Sequence, residues 1–431
     1  MYTLKNTTKL HPLHAESQVI LHTLRWGKEE SGYTSVIRID TDDGLILDKT
    51  QSEVLHSLEL GNSIRETGQK TNLSKDIIYD LVSYFKSVGF VKSIDGGKIP
   101  DTAIAIRPIF PTLSRKWFTW SINPFFLIVS FVFIILGFGI AFFNPEYLPT
   151  FGDFFWTNDF ILILLSIHVI TLTTTCIHEA MHYIVTRAVG GQGRINLSTR
   201  FIYFIFETEH YHLAVIQKPL RYLVYISGIY AELILMSIIM IIFFLSETYQ
   251  WNIAIMMPYL KVTLLIQLTG LIWQYSAYLQ TDFYNVFSEY LNEPNLYVNM
   301  KKYIGMKLRR SKNLSLGFIT KPLSRLFTTH DVIESADQFS SLTQKEKRQL
   351  QIYAVYVCFG LIVSLFTFFY FYVIRDITLF YKALNQTYEA ISNHNIGEIL
   401  RGSIASFLAL YFYIMTGIII ASKIKRRESI I

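Results

Sequence analysis

Residues 160–187 read FILILLSIHVITLTTTCIHEAMHYIVTR, and this stretch decides how the rest of the chain is to be read. From Phe160 to Ile177 no side chain carries a formal charge. A helix needs about 20 mainly apolar residues to cross a bilayer, so the run is long enough to be a span. Near its end stand two histidines and a glutamate, and ionisable groups so close to a hydrocarbon core are costly and usually functional.

Working outward, the run is one of six. The others are about Pro124 to Phe143, Tyr222 to Leu245, Ile253 to Leu279, Gln351 to Val373 and Ile404 to Ala421. With 51% hydrophobic residues among 431, the composition is that of a mainly α polytopic membrane protein with about six transmembrane helices rather than of soluble domains. The net charge of +6 does not point to nucleic acid, because Lys and Arg sit beside the apolar runs and not on one soluble face. Cys176 and Cys358 are the only cysteines and lie within apolar runs, which excludes a disulfide framework.

The basic residues set an expected topology through the positive-inside rule. Arg115 and Lys116 precede the first run, and the loop from Asn144 to Asp159 has no Lys or Arg. Arg187, Arg194, Arg200, Lys218 and Arg221 follow the second run, and Lys301, Lys302, Lys307, Arg309, Arg310 and Lys312 follow the fourth. The alternation places both termini, including the tail Lys423-Ile424-Lys425-Arg426-Arg427, in the cytoplasm of a multi-pass cell-membrane protein. The first thirty residues lack the order of charge, apolar run and cleavage site of a signal peptide.

Before the first run, residues 1–101 read as a small α+β, winged-helix-like domain. Val36 to Asp40 and Leu45 to Asp48 alternate around the turn-prone Thr41-Asp42-Asp43-Gly44, as in a hairpin. Helical patterns follow over Glu53 to Leu60, Ser63 to Lys70 and Ser74 to Val88, and Phe90 and Val91 begin an extended stretch. The expected organisation is this domain, a linker at 102–122, a four-helix core at 123–282, a cytoplasmic basic loop at 283–348, and two further spans with a basic tail at 349–431. Ser198 to His212 reads as a strand or hairpin at the membrane surface.

His178-Glu179-Ala180-Met181-His182 carries the chemistry. Four residues of helix turn about 400° and rise about 6 Å, so the imidazoles share a face and can share one Zn2+. Glu179 can take a proton from an activated water and pass it to a leaving amine, the work of a metallopeptidase. A catalytic zinc needs a third protein ligand and one open position. Glu207, Glu209, His210, His212, Glu232 and Asp282 are candidates. Asp282, at the cytoplasmic end of the fourth run, stands at the membrane level of the two histidines and is the best placed. Glu232, about 16 Å into the third run, suits an orienting role towards an imidazole or a pairing with Lys261 or a serine. His168, about 15 Å from His178 along the helix, is a core histidine, and Cys176 has no assigned role.

These residues resemble the site-2 protease family of intramembrane zinc peptidases. Thr281-Asp282-Phe283-Tyr284-Asn285-Val286-Phe287-Ser288-Glu289-Tyr290-Leu291, followed by Pro294-Asn295-Leu296, is similar to its peptide zinc metalloprotease branch, although that branch usually carries Asp-Gly where this chain has Asp282-Phe283. Ser227-Gly228-Ile229-Tyr230-Ala231-Glu232 is similar to the family's Gly-Pro segment without the proline, and Ser341-Leu342-Thr343 matches ahead of the fifth run. The resemblance implies hydrolysis of a ribosomally made, bacteriocin-like precursor peptide during maturation or export, with a peptide exporter as a partner. The first domain resembles PqqD-like peptide-recognition domains. Carried over, that places a leader-peptide groove between Val36 to Ile39 and the face of Ile78, Leu81, Val82 and Phe85, the alternative being a purely structural domain. Lys75 and Lys86 set against Asp76 and Asp80 give no footprint for nucleic acid. Two other functions fit the same chain: regulated proteolysis of a single-span signalling protein or pheromone precursor, and a non-catalytic membrane accessory of peptide export or immunity.

Overall fold

The computed structural model describes residues 13–30, 32–200, 203–276, 280–293, 296–310, 343–407, 410, 411 and 414. It is mainly helical, with β structure concentrated near the amino terminus. The described chain falls into two compact units. One gathers the chain up to Trp120 with Tyr183–Arg194 and Thr208–Arg221; the other takes Ser121–His182, Ile195–Glu207 and the chain from Tyr222 onward.

In the first unit, β2 (Leu24–Glu30), β3 (Tyr33–Arg38) and β4 (Gly44–Asp48) form an antiparallel sheet in that order. β1 (Val19–Leu21), β5 (Val91–Ile94) and β6 (Gly97–Lys98) form a second. The hairpin register pairs Val36 with Leu45, and Asp42 takes the left-handed conformation that its turn requires (φ 65°). Each helix begins where a side chain can accept from its first free N–H groups. Asp48 accepts from Gln51 at 2.8 Å, so α1 (Lys49–Glu59) starts four residues earlier than the apolar pattern suggests. Ser63 and Glu66 form a reciprocal box at α2 (Ile64–Thr71), and Ser74 caps α3 (Lys75–Ser87). Leu47, Val54, Leu55, Ile64, Ile78 and Phe85 fill the space between sheet and helices with no exposed surface.

This packing places the residues of the expected peptide groove. Val36, Ile78, Val82 and Phe85 are wholly buried and belong to the core, Leu81 packs against it, and Ile39 is exposed. β3 is also the middle strand, hydrogen-bonded on both sides, so no edge is free there for an added strand. Alternating apolar residues mark a buried face equally well whether protein or peptide covers it.

In the second unit, four helical stretches among the described residues are long and apolar enough to cross a membrane: α4 (Pro124–Phe143), α5 (Phe160–Val189), α6 (Lys218–Thr248) and the stretch Gln344–Ser392. The last comprises α10 (Gln344–Thr367), a π-helical turn at Phe368–Val373, and α11 (Ile374–Ser392). Two of the six expected spans are not among them. α7 (Met257–Gln274) has only 18 residues, interrupted by Lys261, Gln267 and Gln274. The sixth, at 404–421, lies largely outside the described residues, as do the basic tail and most of the loop before the fifth run.

α4 is apolar all round and leaves Phe125, Phe131, Val132, Ile135 and Phe142 exposed, as a lipid-facing helix does. It approaches α6 closely at Gly137, where a Cβ would stand 2.5 Å from Ser237 Cα. The Tyr230 hydroxyl donates to the Leu127 carbonyl at 3.0 Å across the same pair of helices. α7 packs between α5 and α6, with Val262 and Leu265 against Ile163 and Ile167, and Leu264 against Met236, Met240 and Phe243. α8 (Asp282–Leu291) and α9 (Leu296–Arg310) follow, and Tyr284, Leu296 and Met300 bury against Leu350 and Tyr353 of α10. Gln192–Arg200 (β7) and Tyr203–Tyr211 (β8) pair as a two-stranded ribbon where one strand or hairpin is expected.

Candidate metal centre

α5, α6 and the start of α8 bring three ligand-type side chains to one point. His178 and His182 lie one turn apart on α5, with 6% and 3% of their surface exposed. His178 Nε2 is 3.0 Å from Asp282 Oδ2, His182 Nε2 is 3.1 Å from the same oxygen, and the two Nε2 atoms are 3.1 Å apart. Tetrahedral zinc with bonds of about 2.0–2.1 Å holds its ligand atoms about 3.3 Å apart, so the triangle is close to the size such an ion needs.

The far sides of the rings decide what the near sides can do. His182 Nδ1 is 2.9 Å from the Val224 carbonyl, which can only accept, so Nδ1 carries the proton and donates. Ser227 Oγ lies 3.2 Å from the same nitrogen and donates to Val224 at 2.8 Å. His178 Nδ1 is 2.9 Å from Glu232 Oε1 and donates to that carboxylate. With both Nδ1 atoms engaged in this way, the two Nε2 atoms and a carboxylate oxygen face one another. Three electron-pair donors converging at 3.0–3.1 Å fit a cation between them, and two imidazoles with one carboxylate are an ordinary catalytic zinc set that leaves a fourth position open.

The backbone makes room for this. A Cβ on Gly228 of α6 would stand 2.3 Å from His178 Nε2 and 2.5 Å from His182 Nε2, so only glycine admits both rings. Asp282 is placed by the end of α7: Thr281 Oγ1 donates to the Gln274 carbonyl at 2.6 Å, and the Asp282 N–H donates to Gln274 Oε1 at 3.2 Å. Phe283 occupies an ordinary helical position and stacks on Tyr275 with centroids 5.0 Å apart. α8 starts at Asp282, so glycine is not needed next to it, and the left-handed residue of this turn is Gln280.

Glu179 is buried, with 8% exposure, beside the first of these ligands. Glu232 takes the orienting position towards His178, while Lys261 turns away to the Glu146 and Leu148 carbonyls. The other candidates are engaged elsewhere. His210 Nδ1 meets Thr186 Oγ1 at 2.8 Å, His212 Nε2 meets the Ile39 carbonyl at 3.0 Å, and Glu209 accepts from Tyr211. His168 Nδ1 is held by its own helix at the Leu164 carbonyl, 2.7 Å away. Ser227 and Gly228, quoted above only for their resemblance to the Gly-Pro segment, and the Val224 carbonyl have roles at the centre that the sequence did not assign.

A second gathering of ligand-type groups, His22, Asp40 and Asp101, is already filled by a cation of the chain. Arg38, 1% exposed, pairs with Asp40 at 2.8 Å and with Asp101. This pairing raises the Arg38 pKa above its ordinary value despite burial and, with the Ala103 N–H, draws Asp101 down to about 2.

Comparison with models of protein families, with curated proteins and with solved structures finds no match. The functional reading therefore rests on the geometry of this chain.

Proposed function

We propose that this chain is a zinc-dependent endopeptidase of the site-2 protease type, acting at the membrane on a ribosomally made, bacteriocin-like precursor peptide. The observation that carries the reading is the pair of imidazoles whose Nδ1 protons are committed to Val224 and Glu232, leaving both Nε2 atoms and Asp282 to face a common centre. His178, His182 and Asp282 would hold one zinc ion. Zinc so held supplies Lewis-acid activation of water and of a peptide carbonyl.

The remaining steps belong to the chain's own groups. Glu179 is the general base: its carboxylate takes a proton from the attacking water and returns it to the departing amine as the C–N bond breaks. Glu232 fixes the His178 tautomer and adds negative charge behind the ring, which strengthens the nitrogen as a donor. Burial of His178, Glu179 and His182 limits bulk water at the centre, so the charge developing on the scissile carbonyl is weakly screened. An extended substrate has a sheet edge to add to at the ribbon β7–β8, where each strand pairs on one side only.

The accompanying membrane reading is a multi-pass cell-membrane protein with six spans, α7 and the 404–421 run included, and both termini in the cytoplasm. Glu179→Gln tests the chemistry. The variant is expected to keep its metal and to lose peptide cleavage, measured by mass analysis of peptides from cells carrying the wild type or the variant. Cleavage that continues with Gln at this position rules the proposed base out.

A further inference from the structure

At the carboxyl-terminal end of α5, away from the two histidines, three arginines surround a cleft of about 310 Å³ that the proposed peptidase chemistry does not use. Arg25, Arg115 and Arg187 line it together with Leu113, Gly190 and Gln192, and among the described residues no acidic side chain does. Part of this arrangement has a structural explanation, since the last carbonyls of a helix need donors. Arg115 Nε donates to the Ala188 carbonyl at 2.6 Å, and Arg25 Nη1 to the Gly190 carbonyl at 2.6 Å. Arg187 donates to the Leu113 carbonyl and to Gln192 Oε1.

Capping does not account for the remainder. Three guanidiniums offer about fifteen N–H groups, and four reach protein acceptors. Arg187 is 4% exposed, yet its Nε has no partner among the described residues. A buried donor left without an acceptor costs about 1–3 kcal/mol. None of the three forms an ion pair among the described residues, although their like charges are close together. Gly190, at φ 98°, brings Arg25 and Arg115 in over the same backbone atom: a Cβ there would lie 3.1 Å from Arg25 Nη2 and 3.6 Å from Arg115 Nη1. Burial, and next the Arg115 charge, lower the Arg25 pKa, with Asp42 acting in the opposite direction. Among the described residues no carboxylate is ion-paired with the cluster.

The cluster's surroundings indicate where an anion would come from. α5 is one of the membrane-length apolar helices, and Arg187 stands in its last turn. Around Arg115, the segment 110–120 exposes Phe110 (62%), Trp117 (74%) and Trp120 (47%), the amphipathic rings that settle at headgroup depth. Basic pockets at this level take lipid phosphates.

We propose that the cleft formed by Arg25, Arg115 and Arg187 at the end of α5 binds the phosphate of an anionic phospholipid headgroup. Guanidinium forks match phosphate oxygens geometrically, and the orphaned Arg187 Nε gains its acceptor. The bound lipid ties the last turn of α5, four to seven residues after His182, to the membrane surface.

The test is native mass spectrometry of the full chain, released from micelles containing phosphatidylglycerol or phosphatidylcholine. One phosphatidylglycerol is expected to remain on the wild type and phosphatidylcholine to leave. Arg25→Gln with Arg115→Gln should lower retention by about thirtyfold, while Arg25→Lys with Arg115→Lys recovers part of it and Lys116→Gln, outside the cleft, has no effect. Equal retention of the two lipids by the wild type overturns the proposal without recourse to a variant. So does unchanged retention in the Gln pair. Inorganic phosphate that stabilises the chain against heat as well as phosphatidylglycerol does would overturn the lipid assignment in favour of a free anion.

Discussion

Replacing Gly228 with alanine adds one methyl group to α6 and places it where two imidazoles meet. The new carbon would lie 2.3 Å from His178 Nε2 and 2.5 Å from His182 Nε2, against an ordinary contact of 3.4 Å or more. Each nitrogen must therefore withdraw by about 1 Å, several times the roughly 0.2 Å that a metal site tolerates in its bond lengths. The helix gains from the same change, because alanine in a helix interior is favoured over glycine by about 1 kcal/mol. That gain offsets much of the about 1–3 kcal/mol that overpacking costs. Gly228→Ala is thus expected to lower zinc affinity by more than about a hundredfold, beyond the 10–100-fold typical of changes to groups behind the ligands, while the metal-free protein unfolds near the wild-type temperature. Gly139→Ala, with nothing within 4 Å of the added carbon, is the matched control. Affinity is read by competition with a chromophoric chelator. Binding in Gly228→Ala within threefold of the wild type would refute the placement of both nitrogens on a shared ion.

Glu232→Gln keeps an acceptor for the His178 Nδ1 proton but removes the charge, so zinc affinity should fall by about 10–100-fold with the ligand set intact; unchanged chelator competition would count against the orienting role. A pH effect is expected at Asp42, whose carboxyl burial pushes up to about 6, against the opposing N–H of His212 at 2.6 Å. The folded state then holds a proton that the unfolded state has released above its value of 3.8, so the stability this group contributes falls as pH rises through the window between them. Asp42→Asn should leave thermal unfolding unaltered at pH 3.5 and raise its midpoint relative to the wild type at pH 7; a constant difference across the range would contradict the assignment.

Much of the site was legible because its chemistry lies in side chains at fixed spacing. The four-residue interval of His178 and His182 determines their shared face once the run is helical, and alternation of basic loops singles out Asp282 without reference to the motif. What holds the rings is less visible. The Val224 carbonyl has no residue signature, and Gly228 reads as one more small residue until the close approach of both imidazoles is known. The amino-terminal helices were readable from Ser63 and Ser74, which have cap chemistry, and their boundaries moved only where Asp48 supplied a cap ahead of the apolar pattern. The groove shows how little such a pattern specifies: Val36, Ile78 and Phe85 recur as a groove lining would, and the same pattern fills the core in which they stand. α7 is harder to read from run length, because its polar Gln267, 2% exposed, is packed inside the protein and lowers the apolar signal of the run.

The most direct test of the metal centre is the zinc content of the full chain purified without chelators, measured by plasma mass spectrometry. One zinc per chain is expected in the wild type, and less than a tenth of that when His178 and His182 are both replaced by alanine. A wild-type chain that stays free of zinc after equilibration with it, or one zinc retained without the two histidines, would contradict the account.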